Sequence, residues 1–287
     1  MKAFELLTIR PPVVAGTFYD IEPERLKKQI SVAMKRAESD GTNKLKKGYN
    51  AVIVPHAAYQ YSGWVAAKFY SLLDEDSPKR YIILGPNHSE TGSNFAITNR
   101  GLWKTPLGGV VVNTDMADRL IERCALIKND FMPHQNERSI EVQLPFLQYK
   151  LGEKFQFVPI SVYGNGFDDT YADSCNLVGE AIADEVKNSG EKWMIIATTD
   201  FSHYVPRHVA EEVDGELIKA ISKLNPKSLM RKITDSHASI CGFGPVAIAM
   251  TAAKSMGSKS GRLLRYSTSA DTTGEDESVV GYATILL

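Results

Sequence analysis

Three apolar runs, AVIV at 51–54, RYIILG at 80–85 and WMIIATT at 193–199, each break off into a short polar stretch that carries a histidine. The histidines are His56, His88 and His203. Short, nearly unbroken apolar runs are the pattern of strands buried on both faces, as in parallel sheets. After the first run, SGWVAAKFYSLL predicts an amphipathic helix opened by Ser62, so the unit is strand, loop, helix, with His56 at the carboxyl end of the strand. Ligands of open α/β sheets bind in the crevice outside those ends. Recurrence of this unit constrains the chain to an α/β fold with polar chemistry along one edge of its sheet.

The rest of the sequence fits that frame. RPPVVAGTFYD, residues 10–20, is turn-rich and predicts a strap ahead of a helix over about 22–38. SDGTNKLKKG, residues 39–48, predicts a solvated polar loop. FAIT and GGVVVN predict short strands around WKTPLG, a hairpin-like excursion near the sheet edge. A helix over about 114–123 takes Thr114 as its cap. His134 is expected in an exposed loop before a helical stretch from Glu137, which Pro145 kinks or restarts. Glu141, beside the apolar stripe of that stretch, is expected to point into the pocket. FQFVPISV continues as strand, and the helix over about 168–186 buries Cys175. Helices over about 209–223 and 226–233 follow, the second capped by Asn225. His208 and His237 are expected to be exposed. GRLLRYSTS and VVGYATILL close the chain as strands. With no internal repeat or linker, residues 1–287 are expected to form one domain.

Composition narrows the function classes. A formal charge of -1 and a pI near 6.6 provide no global field toward nucleic acid or an anionic membrane. No apolar run is long enough to span a bilayer, and the first twenty residues lack a signal-peptide core, which predicts a cytoplasmic protein. Cys124, Cys175 and Cys241 are too few and too scattered for a disulfide framework or a paired-cysteine zinc site. GxSxG, P-loop and dinucleotide fingerprints are absent.

The three strand ends and one helix start supply the chemistry. His56 and His88 with one further anionic ligand make a three-ligand mononuclear site with open positions for substrate, water or O₂. Asp200 and His203 stand three residues apart. In a turn or first helical turn the carboxylate can fix the tautomer of the imidazole, setting His203 as general acid/base. Cys241 precedes a glycine-rich helix start, where a thiol pKa is lowered, although an inert buried cysteine is the alternative there. A Cys241/His203 hydrolase leaves His56 and His88 without a role.

AGTFY at 15–19, PHAAYQYSG at 55–63, LGPNH at 84–88, TPLG at 105–108, ERSIEVQLPFLQ at 137–148, DFSH at 200–203, ICGFGP at 240–245 and VVGYA at 279–283 resemble, in order, the motifs of the Memo family. The resemblance implies a three-layer αβα sandwich around a mixed, mostly parallel sheet, similar to class III extradiol ring-cleaving dioxygenases. It implies His56, His88 and Cys241 as metal ligands, with Fe(II) the first expectation and copper or zinc the others, and His203 with its neighbour Asp200 as acid/base. Phe18 matches an aromatic at the pocket mouth, and Tyr59 and Glu141 are expected with it as substrate-binding residues. Two departures stand out. Cys241 occupies the place of the dioxygenases' glutamate, and Arg138 stands where the family commonly has histidine. The expected function is a metal-dependent, dioxygenase-like oxidoreductase acting on a small molecule. A non-catalytic module binding a peptide or small molecule, or a zinc hydrolase, are the alternatives.

Overall fold

The computed structural model describes residues 8–38, 49–164 and 166–287, and the polar loop expected at 39–48 lies outside the described residues. In chain order the elements begin with β1 (Ile9–Arg10), α1 (Pro23–Glu38), β2 (Ala51–Val54), α2 (Tyr59–Tyr70), β3 (Arg80–Pro86) and β4 (Phe95–Ile97). Next come β5 (Leu102–Thr105), β6 (Gly108–Val111), α3 (Thr114–Arg123), β7 (Ile127–Asn129), α4 (Leu144–Leu151), β8 (Gln156–Val162) and α5 (Asp169–Asn188). The chain closes with β9 (Trp193–Thr198), β10 (His203–Val205), α6 (Arg207–Ser222), α7 (Pro226–Ser236), α8 (Phe243–Ser255), β11 (Arg262–Thr268), α9 (Ala270–Thr273) and β12 (Val279–Leu286).

Nine strands form the main sheet in the order β10-β12-β2-β9-β3-β8-β4-β7, with β11 also on β12. Its centre, β2-β9-β3-β8, is parallel throughout, and β12 and β4 join it antiparallel. Side chains alternate across a strand, and the two cores follow that alternation. Ile53, Ile82, Leu84, Val158 and Ile195 pack beneath α3, α5, α6, α7 and α8. Val52, Val54, Ile83, Phe157 and Ile196 pack against α1, α2 and α4 on the other face. The result is the expected αβα layering, and each buried aliphatic side chain in it contributes about 1.5–3 kcal/mol.

Several local expectations are corrected. Helix α2 starts at Tyr59 rather than Ser62. Phe18 O accepts the Tyr59 N–H at 2.8 Å, so the strap supplies the first-turn partner, while the Ser62 hydroxyl donates back to Ala57 O. The cap of α3 is Asn113, whose side chain accepts from Met116 N at 2.9 Å, leaving Thr114 inside the helix. The excursion β5–β6 leaves the main sheet and pairs with β1 in a separate three-stranded sheet, because Trp103 and Val110 turn inward against the α1/α2 side of the core. The helix expected from Glu137 begins only at Leu144, after a 3₁₀ turn, Glu141–Gln143, with Pro145 in its first turn as the restart expected of it.

His134 is fully buried, contrary to the exposed position expected for it. The short 3₁₀ turn Met132–His134 swings its ring against Trp103, and Nε2 lies 3.1 Å from Ala96 O, an acceptor that makes Nε2 the protonated nitrogen. Nδ1 has no hydrogen-bond partner among the described residues. Burial, reinforced by the Arg10 charge, lowers the His134 pKa to about 4. The unfolded chain takes up this proton near pH 6.5 and the fold only near 4, so the stability from a neutral His134 is complete above about 6.5 and lost as pH falls toward 4. That difference corresponds to on the order of 3 kcal/mol. Urea unfolding at pH 7.5 and pH 4 should show the acid loss of stability shrinking by roughly that amount in His134→Gln. An unchanged acid loss places the sensitivity elsewhere.

Candidate metal centre

Register brings the strand ends level. Val54 pairs with Thr198, so His56 and Asp200 both stand two residues past the last rung, and His88 stands two past Pro86 at the end of β3. Three adjacent parallel strands, β2, β9 and β3, thus deliver His56, Asp200 and His88 to one edge. Helix α8 packs across the same three strands, and the turn before it places Cys241 over them. Gly242 makes this approach feasible, because a Cβ there would collide with Thr198 O and Thr199. The Cys241 N–H donates to Asp200 O at 3.3 Å.

Each imidazole is held by its Nδ1. His56 is 2% exposed, its Nδ1 lies 3.0 Å from Thr198 Oγ1, and its backbone N–H donates to Asp200 Oδ1 at 2.9 Å. For His88, Nδ1 meets Glu137 Oε1 at 2.9 Å and the backbone N–H donates to Glu137 Oε2 at 2.8 Å. Gly85 lets the Glu137 segment lie this close, since a side chain there would run into Ser139 and Ile140. With Nδ1 engaged, each ring is left with Nε2 for an ion, the arrangement in which an outer carboxylate or hydroxyl orients a ligating histidine. The His56 and His88 rings meet edge to face at 5.2 Å, and His56 Nε2 is 3.3 Å from Cys241 Sγ. One ligand atom from each of His56, His88 and Cys241 falls within 4.8 Å of the other two. An ion bonded to nitrogen at about 2.1 Å and to sulfur at about 2.3 Å holds its donors roughly 3.5 Å apart, so the cluster fits a single ion.

Electrostatics suit the ligand roles unevenly. Burial lowers the His56 pKa to about 4 against the opposing pull of Asp200, keeping the neutral imidazole that a metal needs. Burial alone would raise the Glu137 carboxyl, yet the His88 ring and the His88 and Ser139 N–H groups hold it down at about 2. Cys241 behaves opposite to the expectation of a lowered thiol pKa. Desolvation and then the Asp200 carboxylate push it up to about 12, and the helix cap is Gly242, which leaves the sulfur outside the first turn. A bound cation reverses this balance by stabilising the thiolate directly.

The remaining site candidates separate into two groups. His203 and Phe18 line a cavity of about 570 Å³ together with Asp200, Arg138, Tyr61 and Tyr282. The partner of His203 is Ser239, whose carbonyl lies 2.7 Å from Nδ1 and whose hydroxyl accepts the His203 N–H at 2.7 Å; the expected Asp200 contact is absent. His203 opens strand β10 instead of lying in a turn or first helical turn. Tyr59 and Glu141 lie outside this cavity. Tyr59 donates to Val142 O at 2.6 Å and packs between Tyr19 and Phe146. Glu141 is fully buried, paired with Arg10 at 2.6 Å, and accepts from Val13 N, Val14 N and the Tyr19 hydroxyl. Sequence reasoning missed Glu137 and Thr198 as the groups that orient the two rings. Hydroxyls at the end of β9 were the only local signal for Thr198, and Glu137 lies 49 residues from His88.

A parallel-centred α/β sheet with two histidines and a cysteine gathered at its strand ends defines a protein with a candidate metal cluster in its sheet-edge crevice. A family profile described as Memo-like protein matches residues 10–286, and the chain belongs to the Memo family. A MEMO1 family protein of Methanopyrus kandleri is 40% identical over 282 residues, covering 96% of this chain and 98% of its own. Its counterpart in Sulfolobus acidocaldarius is 39% identical over 285 residues, covering 96% and 98%. Among solved structures, an uncharacterized Escherichia coli protein shares the fold at a TM-score of 0.50 and 14% identity, covering 83% of this chain and 99% of that one. No helix among the described residues is long and apolar enough to cross a membrane.

Proposed function

We propose that this Memo family protein is a mononuclear metal protein in which His56 Nε2, His88 Nε2 and Cys241 Sγ hold one ion, Fe(II) in the first instance, and that it acts as a dioxygenase-like oxidoreductase on a small molecule. The observation that carries the reading is the convergence of one ligand atom from each of those three residues within 4.8 Å, together with the engagement of both Nδ1 atoms by outer partners. A sulfur donor argues against magnesium and calcium and suits iron, copper or zinc. The neighbouring cavity is lined by Asp200, which also contacts His56 and Cys241, and so supports a substrate site beside the cluster. A redox-active ion held there would supply a site at which O₂ and substrate meet.

The protein's own groups divide the remaining work. Thr198 and Glu137 fix the two rings. Since Ser239 O can only accept, His203 Nδ1 is the donor, and the neutral ring keeps its Nε2 lone pair as a base on the cavity wall. Protein purified without oxygen should bind one equivalent of Fe(II) and consume O₂ with catechol-type compounds. His203→Ala should keep the metal and lose roughly 10²–10⁴-fold in turnover. Loss of metal in that variant makes His203 a ligand. Failure of the unmodified protein to take up Fe(II) overturns the reading, and zinc at one equivalent with ester turnover assigns the hydrolytic alternative.

A further inference from the structure

Arg138 is the cavity residue that the metal reading leaves without a task. Its backbone is pinned between Glu137, held by His88, and Ser139, whose N–H donates to Glu137, so the side chain is delivered to the cavity from a fixed point. The guanidinium is half-buried and sits 5.6 Å from the centroid of the Phe18 ring. Arg10, Arg80, Arg119, Arg123, Arg207 and Arg231 each meet a carboxylate. Arg138 meets none among the described residues. The two acids on the same cavity wall are otherwise engaged: Asp200 accepts the His56 N–H, and Glu275 accepts the Glu277 N–H.

Part of the surrounding wall is aromatic. Phe18, Tyr61, Tyr204 and Tyr282 line the cavity. Tyr204 is 79% exposed and held at φ +58° where the pairing of β10 with β12 shifts register. A bulky residue in the left-handed region costs free energy and persists where the surroundings enforce it, commonly at ligand sites. A planar five-donor fork beside aromatic faces matches a planar anion.

We infer that Arg138 is the anion-recognition residue of the site and that the cavity takes a small aromatic carboxylate, its carboxylate on Arg138 and its ring against Phe18. This rests on the proposed function only for the ion nearby, because Arg138 needs no metal to bind a carboxylate. The test is calorimetric titration of the metal-free full-length protein with benzoate and with its neutral isostere benzamide, repeated after anaerobic Fe(II) loading. Benzoate should bind roughly 10-fold or more tightly than benzamide. Arg138→Gln should abolish that preference, lowering benzoate affinity far more than benzamide affinity and leaving the thermal midpoint unchanged, and Arg138→Lys should restore part of it. A preference that survives in Arg138→Gln, or no benzoate binding at millimolar concentration, overturns the inference. A protein that shows the preference yet never takes up Fe(II) keeps this inference and loses the metal reading.

Discussion

Glu141→Ala is expected to destabilise the fold by about 3–5 kcal/mol, because it strips one partner from a buried ion pair. Arg10 and Glu141 are 1% and 0% exposed and meet at 2.6 Å. The Glu141 carboxylate also satisfies Val13 N, Val14 N and the Tyr19 hydroxyl. Arg10 lies 4.1 Å from the Trp103 ring centroid and donates to His134 O at 2.6 Å and Glu137 O at 2.5 Å. Truncating Glu141 therefore leaves a buried guanidinium without its counter-charge, and two backbone N–H groups and a phenol without this acceptor. Urea unfolding measures the loss. The pair Arg10→Met with Glu141→Leu should recover part of it, since removing both charges avoids the unpaired one. A single-variant cost below about 1 kcal/mol, the range of exposed pairs, would contradict this account.

The second large effect is on metal affinity. Cys241→Ser should weaken Fe(II) binding more than roughly 100-fold, beyond the 10–100-fold that altering an outer partner costs. Serine preserves the shape, but its hydroxyl stays protonated near neutral pH and offers no anionic donor. Asp200 N, which donates to the sulfur at 3.3 Å, can donate equally to a hydroxyl oxygen, so the metal-free fold should keep its stability to within about 0.5 kcal/mol. Competition with a chromophoric chelator reads the affinity, and unchanged affinity removes Cys241 from the ligand set.

What the sequence revealed and what it hid have one physical origin. The central strands were legible because strands buried on both faces are continuously apolar, and the histidines two residues past β2 and β3 marked the crevice. The resemblance named the cluster that the geometry then brought together. Contacts made across long separations left no local trace. Glu141 was expected to point into the pocket, and it pairs instead with Arg10, 131 residues away in sequence. The spacing of Asp200 and His203 suggested a pair on the assumption of a turn or first helical turn, whereas His203 opens strand β10 and is held by Ser239. His134 looked exposed because nothing near it in sequence shows Trp103 and Ala96 closing over it.

X-ray absorption at the iron edge, on protein loaded with one equivalent of Fe(II) without oxygen, tests the central claim most directly. A shell containing two imidazole nitrogens and one sulfur near 2.3 Å, with the sulfur lost in Cys241→Ser, is the predicted result. A shell of oxygen and nitrogen alone, unchanged by that substitution, would contradict it.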